Sequence, residues 1–187
     1  MAVQILRRRF SVEEYYLMAK AGVLTEDDRV ELIEGEIVEM SPIGSRHAGC
    51  VIRLIQFLSQ QVGSRALVSA QNPVRLGEHS EPQPDITLLR PRADFYSTAH
   101  PGPADVLLLM EVADTSIEYD REVKVPLYAQ AGIGEVWLVD LVAESIEVYQ
   151  NPAPEGYRQT RVVRLEERLA PEALPDLELS ARGILGL

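Results

Sequence analysis

A single cysteine, Cys50, leaves no possibility of an intrachain disulfide, which is compatible with a reducing compartment. Long apolar runs are missing as well: the longest, Val106 to Met110, is far too short to span a bilayer. Met1 to Phe10 has no apolar stretch of leader length, and Arg7-Arg8-Arg9 follows its apolar residues instead of preceding them. A cytoplasmic protein is expected on these grounds. Internal repeats and low-complexity segments are also absent. Positive charge is scarce, with 18 Lys and Arg against 29 Asp and Glu, for a net charge of −11. Phosphate neutralisation supplies most nucleic-acid affinity, so this chain cannot bind nucleic acid through its whole surface. A local basic patch, bound metal ions or an oligomer that concentrates arginines would have to supply it.

What is present is the profile of a soluble globular protein, 46% hydrophobic and 25% charged over 187 residues. One domain over residues 1–187 is expected, with a core at about 30–150, an amino-terminal helix at 11–20 and a carboxy-terminal extension at 151–187.

Ser11-Val12-Glu13-Glu14 reads as a capping box that opens a helix to about Lys20. Arg29 to Met40 alternates apolar and acidic residues around Gly35, the pattern of a hairpin. From His47 the period becomes helical, through Val51, Leu54, Ile55, Leu58 and Val62, and Gly63 supplies a stop. Strands are expected at Ala66–Ala70, Pro73–Leu76 and Asp85–Leu89, followed by Asp105 to Ala113, apolar on both faces as a central strand would be. Asp120 to Gln130 reads as a helix that Pro126 breaks or kinks in its first half. Glu135–Leu141 and Glu144–Gln150 form a second hairpin, and Arg158 to Leu165 adds a strand. The leucine-rich tail from Glu166 is expected to pack down as a short helix with irregular chain.

Glu111 is the sharpest anomaly, because strand alternation places it on one face with Leu107, Leu109 and Ala113. A carboxylate there is protonated, paired or bound to a metal, unless it frays into solvent at the strand's end. Asp85, behind Pro84, opens a strand, although Asp after Pro is also an ordinary turn residue. If the two strands are neighbours, their carboxylates would repel without a divalent cation between them. All-oxygen ligands of this kind suit Mg²⁺ or Mn²⁺, not zinc. Lys124 on the following helix can be aimed back at Glu111, or can form an exposed ion pair with Asp120 four residues earlier.

Pro84-Asp85 followed by Glu111-Val112-Ala113, in a helix–strand–strand–strand–helix–strand order, resembles the PD-(D/E)XK nuclease superfamily. More narrowly, Val30 to Glu36, Pro84-Asp85-Ile86, Leu109 to Val112 and Asp120 to Lys124, running on through Tyr128, Gly132 and Trp137 to Asp140, resemble the Uma-type family of restriction endonucleases. The likeness spans about Phe10 to Tyr149. It implies an α/β, restriction-endonuclease-like core: a central mixed β-sheet flanked by helices, with added amino- and carboxy-terminal hairpins. Two departures stand out. An E-x-K motif would put its lysine at position 113, which is Ala113, so the resemblance implies that Lys124 has taken its place. Ala113-Asp114-Thr115-Ser116 also differs from the Ser-Pro-Ser-like run associated with the family.

The resemblance implies a Mg²⁺- or Mn²⁺-dependent endonuclease with Asp85, Glu111 and Lys124 as catalytic residues. Asp85, Glu111 and the Val112 carbonyl would hold the metal, with Glu31, His47 and Gln71 in support. Arg46, Arg53 and Arg121 are the candidate phosphate contacts, together with Arg7, Arg8 and Arg9. Tyr128 and Trp137 read as packing residues. DNA is the expected partner, bound by a homodimer. Two alternatives remain: an inactive nuclease-fold module for nucleic-acid or protein binding, and an acidic homo-oligomeric structural protein.

Overall fold

In the computed structural model, residues 7–25 and 27–187 are described. The leader-peptide reading of Met1 to Phe10 falls largely outside them. Ser11 caps the first helix, α1 (Val12–Lys20): its hydroxyl accepts from the Glu14 amide, and the Glu14 carboxylate accepts from the Ser11 amide. Strands β1 (Val30–Ile33) and β2 (Glu36–Glu39) pair antiparallel across a two-residue turn. Glu34 and Gly35 both take positive φ there (49° and 80°), the mirror-image turn whose twist matches a hairpin. A side chain at Gly35 would also meet the Arg9 Cβ at 2.5 Å.

Helix α2 (Ser45–Val62) buries Cys50, Val51, Leu54, Leu58 and Val62, a single stripe at helical spacing. That stripe rests on one face of a six-stranded sheet in the order β3-β4-β5-β6-β7-β8. Its strands are β3 (Leu67–Ala70), β4 (Ile86–Leu89), β5 (Val106–Ala113), β6 (Glu135–Asp140), β7 (Ser145–Ala153) and β8 (Gly156–Val163). Every neighbouring pair is antiparallel except β5–β6, so the sheet is mixed. The parallel pair requires a crossover, supplied by a helical run: α3 (Ile117–Tyr119), a π-helical turn (Asp120–Lys124) and α4 (Val125–Ala131). This run covers the other face, where Val125 and Tyr128 pack on Leu109, Val136 and Leu138. The tail adds a two-stranded sheet, β9 (Arg168–Leu169) with β10 (Leu179–Ser180), and α5 (Ala181–Leu185), which packs on the α2 side. The fold is thus the expected α/β one, with a small two-stranded sheet toward each end. No helix among the described residues is long and apolar enough to cross a membrane.

Three local expectations change. Residues 73–76 form no strand: Val74 and Leu76 donate to Pro82 and Ser80, but Pro82 and Pro84 have no amide with which to complete a ladder. Leu107 does not share Glu111's face. The β4–β5 register slips between Leu88 and Leu89, and this bulge turns Leu107 toward the α2 side. The crossover helix begins at Ile117, and Pro126 does not break it. The wider π turn just before Pro126 absorbs the missing amide, with Val125 donating to Asp120 five residues back.

Candidate active site

Strand β4 is shorter than β5, and Ile86–Met110 is the last aligned pair at this end of the two strands. Beyond it Asp85 takes the place of a ladder partner: its Oδ2 accepts from the Val112 amide at 2.9 Å. A strand residue's N–H and C=O leave on the same edge, so the Val112 carbonyl is turned toward Asp85 as well. The same Oδ2 accepts from His47 Nε2 at 2.9 Å, and Oδ1 accepts from Gln71 Nε2 at 3.3 Å. His47 is therefore held to Asp85 in the first turn of α2. Gln71 reaches it from a φ of 53°, with its own amide donating to the carbonyls of Pro84 and Asp85.

Glu111 lies on β5, 3% exposed, on the face opposite α2. Its Oε1 accepts from Lys124 Nζ at 3.0 Å and from the Tyr128 hydroxyl at 2.5 Å. Its Oε2 faces the Asp85 amide at 3.4 Å. The carboxylates that were expected to be neighbours are brought together. Burial pushes the Glu111 carboxyl up to about 8; Lys124 and the Tyr128 hydrogen bond work against this, and Asp120 and Asp85 add to it.

Lys124 is 7% exposed, and its ammonium also stands 3.4 Å from Glu31 Oε2. Burial by itself would lower its pKa, but Glu111, Glu31 and Asp120 outweigh burial and hold it well above the ordinary lysine range. Glu31 is 2% exposed on β1 and accepts from the Gln83 amide at 3.1 Å. The β1–β2 hairpin is fastened to that segment by the Leu32–Glu81 bridge and by Glu34, whose amide donates to Ser80 Oγ at 2.9 Å. An exposed Asp120–Lys124 pair is not what forms. Both residues are buried, and Asp120 accepts instead from Ser116 Oγ at 2.6 Å. Burial raises the Asp120 carboxyl too.

Glu31, His47, Gln71, Asp85, Glu111, Asp120 and Lys124 line one cleft of about 830 Å³, walled by the β1–β2 hairpin and by the segment from Asp114 to Lys124; Tyr128 lies behind it. Asp120 belongs to this constellation and was missed in the sequence, as was the Tyr128 hydroxyl. Their sequence signals were helical spacing from Lys124 and a place in the stretches that resemble the family, neither of which gave them a role in the site. Two buried polar atoms, His47 Nδ1 and the Tyr119 hydroxyl, have no partner among the described residues. Of the candidate arginines, Arg46 sits beside the cleft, bonded to the Leu141 carbonyl and 3.6 Å from Asp114. Arg53 lies over Gly186 in the tail, and Arg121 is engaged by Glu147 at 2.5 and 3.2 Å. Neither lines the cleft.

Among the described residues, no group of three or more His, Cys, Asp or Glu side chains is arranged to hold a metal ion. The donor set is smaller: Asp85, Glu111 and the Val112 carbonyl, all oxygen. That set fits Mg²⁺, which binds through one or two carboxylates and completes its shell with water and substrate phosphate. Seven Asp and Glu side chains line the cleft against Lys124, Arg29 and His47. A phosphate would be repelled from such a surface unless a cation accompanied it.

A family described as "Putative restriction endonuclease", Uma2, matches residues 12–182. No curated protein matches the chain. Among solved structures, the crystal structure of a "putative nuclease belonging to DUF820" from Anabaena variabilis ATCC 29413 superposes with a TM-score of 0.75 at 19% identity, covering 95% of this chain and 98% of that one. At that identity the likeness establishes the fold alone. By the extent of the family match and by this architecture, the chain belongs to the Uma2 family and has a PD-(D/E)XK-related fold.

Proposed function

We propose that the chain is a divalent-metal-dependent endonuclease that hydrolyses phosphodiester bonds, with DNA preferred over RNA. The observation that carries this reading is the meeting of three groups at one cleft floor: Lys124 Nζ 3.0 Å from Glu111 Oε1, and the Asp85 amide 3.4 Å from Glu111 Oε2. Asp85, Glu111 and the Val112 carbonyl would hold Mg²⁺ or Mn²⁺; when bound, such an ion supplies positive charge to a phosphate oxygen and acidity to a water. Lys124 stays protonated between Glu111 and Glu31, so it serves as a hydrogen-bond donor that orients the attacking water and steadies developing charge, and not as a base. The hairpin and the Asp114–Lys124 segment wall this floor. DNA as substrate rests on family analogy. Arg29, which lines the cleft, and Arg46, beside it at Asp114, are the arginines best placed to meet an adjacent phosphate. A homodimer that doubles such contacts belongs to the same reading.

The test is incubation of pure protein with single- and double-stranded DNA and with RNA, in Mg²⁺, Mn²⁺ and EDTA. Metal-dependent cleavage that disappears in Asp85→Ala and Lys124→Ala is the expected result. Cleavage that survives either substitution sinks the assignment. The ion pairs that Lys124 makes with two glutamates favour a second reading, a binding module that does not cut. That reading predicts metal-dependent retention of DNA with no product.

A further inference from the structure

The two carboxylates at the cleft floor share an asymmetry. A carboxylate oxygen has two lone-pair positions. At Glu111 both positions of Oε1 are filled, by Lys124 Nζ at 3.0 Å and by the Tyr128 hydroxyl at 2.5 Å, whereas Oε2 has only the long 3.4 Å contact from the Asp85 amide. At Asp85 both positions of Oδ2 are filled, by the Val112 amide and His47 Nε2, each at 2.9 Å, whereas Oδ1 has one 3.3 Å bond from Gln71. Each carboxylate is thus gripped by one oxygen and leaves the other for a ligand.

At Glu111, Tyr128 is the grip that bears no charge. It is fully buried in the apolar layer between α4 and the sheet, a position that a phenylalanine ring would fill equally well. A buried tyrosine hydroxyl needs a partner, and here it takes an oxygen of a carboxylate that already has a lysine. Lys124 divides its ammonium between Glu111 and Glu31, so it does not fix the Glu111 rotamer by itself.

We infer that Tyr128 is a positioning residue: its hydroxyl holds Oε1 of Glu111 so that Oε2 is presented beside Asp85 as the metal-facing oxygen. The inference rests on the metal-dependent reading above. Without the hydroxyl, Oε1 loses one of its two donors and Glu111 rotates more freely, so Oε2 is no longer held beside Asp85 and cation binding weakens. Hydrogen-bond partners of metal-ligating side chains are worth about 10- to 100-fold in metal affinity.

The experiment is Mn²⁺ titration by calorimetry of the DNA-free protein, wild type against Tyr128→Phe, with melting curves in EDTA and in saturating Mn²⁺. The expected result is at least about 10-fold weaker Mn²⁺ binding in Tyr128→Phe and a smaller metal-induced rise in Tm. On a Glu111→Gln background Tyr128→Phe should have no further effect on affinity. A merely structural hydroxyl would lower Tm equally with and without Mn²⁺ and leave the affinity unchanged. That outcome overturns the inference and leaves the metal reading standing. Absence of Mn²⁺ binding by the wild type overturns the metal reading, and the inference with it.

Discussion

Two buried glutamates on adjacent parallel strands invite comparison. Glu111 on β5 and Glu135 on β6 are 3% and 2% exposed, and burial raises both carboxyls. Their partners differ in kind. Glu135 is met by neutral donors alone: Trp137 Nε1 at 2.7 Å, Gln150 Nε2 at 3.2 Å and the Glu172 amide at 2.6 Å. It does not line the cleft that holds Glu111, and the bond it accepts from the Glu172 amide ties the tail to the sheet. Glu111 has an ammonium on one oxygen, other carboxylates nearby, and an open cleft before it. Burial alone therefore does not single out a candidate catalytic carboxylate. What sets Glu111 apart is the charge of its partners and an oxygen that remains free.

The substitution expected to disturb this contrast most is Lys124→Met. At pH 9, where Glu111 has released its proton, it removes the cation that faces two buried glutamates, and breaking a buried pair on one side costs about 3–5 kcal/mol. Under the proposed function the same change removes a charged donor from the developing phosphorane, a loss of about 10²–10³-fold in cleavage rate. Urea melts of the metal-free protein and a plasmid-nicking time course check the two effects. Unaltered stability would mean that Glu111 and Glu31 do not depend on Lys124 for their counter-charge.

A second effect is a slope with pH. Glu111 is raised from the ordinary 4.5 to about 8, so above pH 4.5 the folded metal-free protein retains a proton that the unfolded chain has released. The stability this group contributes is full below about 4.5 and is lost as pH rises through about 8. The slope from one such group is at most about 1.4 kcal/mol per pH unit. Glu111→Gln imitates the protonated form, so the variant should match the wild type at pH 5 and exceed it at pH 9. Equal melting temperatures at both pH values would show that Glu111 titrates normally.

These partners explain what could be read from the sequence. Glu111 stood out because a charge interrupts an apolar strand, and the paired hairpins, α2 and the central strand followed from periodicity. Asp85 and Lys124 were reached mainly through resemblance, because nothing local shows that β4 and β5 are neighbours. Asp120 and Tyr128 lay in stretches that resemble the family, but their place in the site was not legible: i,i+4 spacing is identical for a solvent-exposed face and for one folded into a cleft. Leu107 was assigned to the wrong face because a bulge has no reliable alternation to betray it. The same limit hid Glu135, a hairpin residue whose burial depends on a tail that returns from residue 172.

Glu135→Gln is the smallest perturbation and the sharpest control, since it makes at β6 the exchange that Glu111→Gln makes at β5. The amide has one carbonyl, which can still accept from Trp137 and Gln150. Its NH₂ then faces the Glu172 amide, a donor against a donor, where an acceptor stood at 2.6 Å. An unsatisfied buried donor costs about 1–3 kcal/mol, so the variant should melt at lower temperature than the wild type at pH 5, where Glu111→Gln matches it. Mn²⁺ affinity and cleavage should match the wild type, because Glu135 is no part of the cleft. If Glu135→Gln also matches the wild type at pH 5, the neutral and charged partner sets are not what separates these two carboxylates.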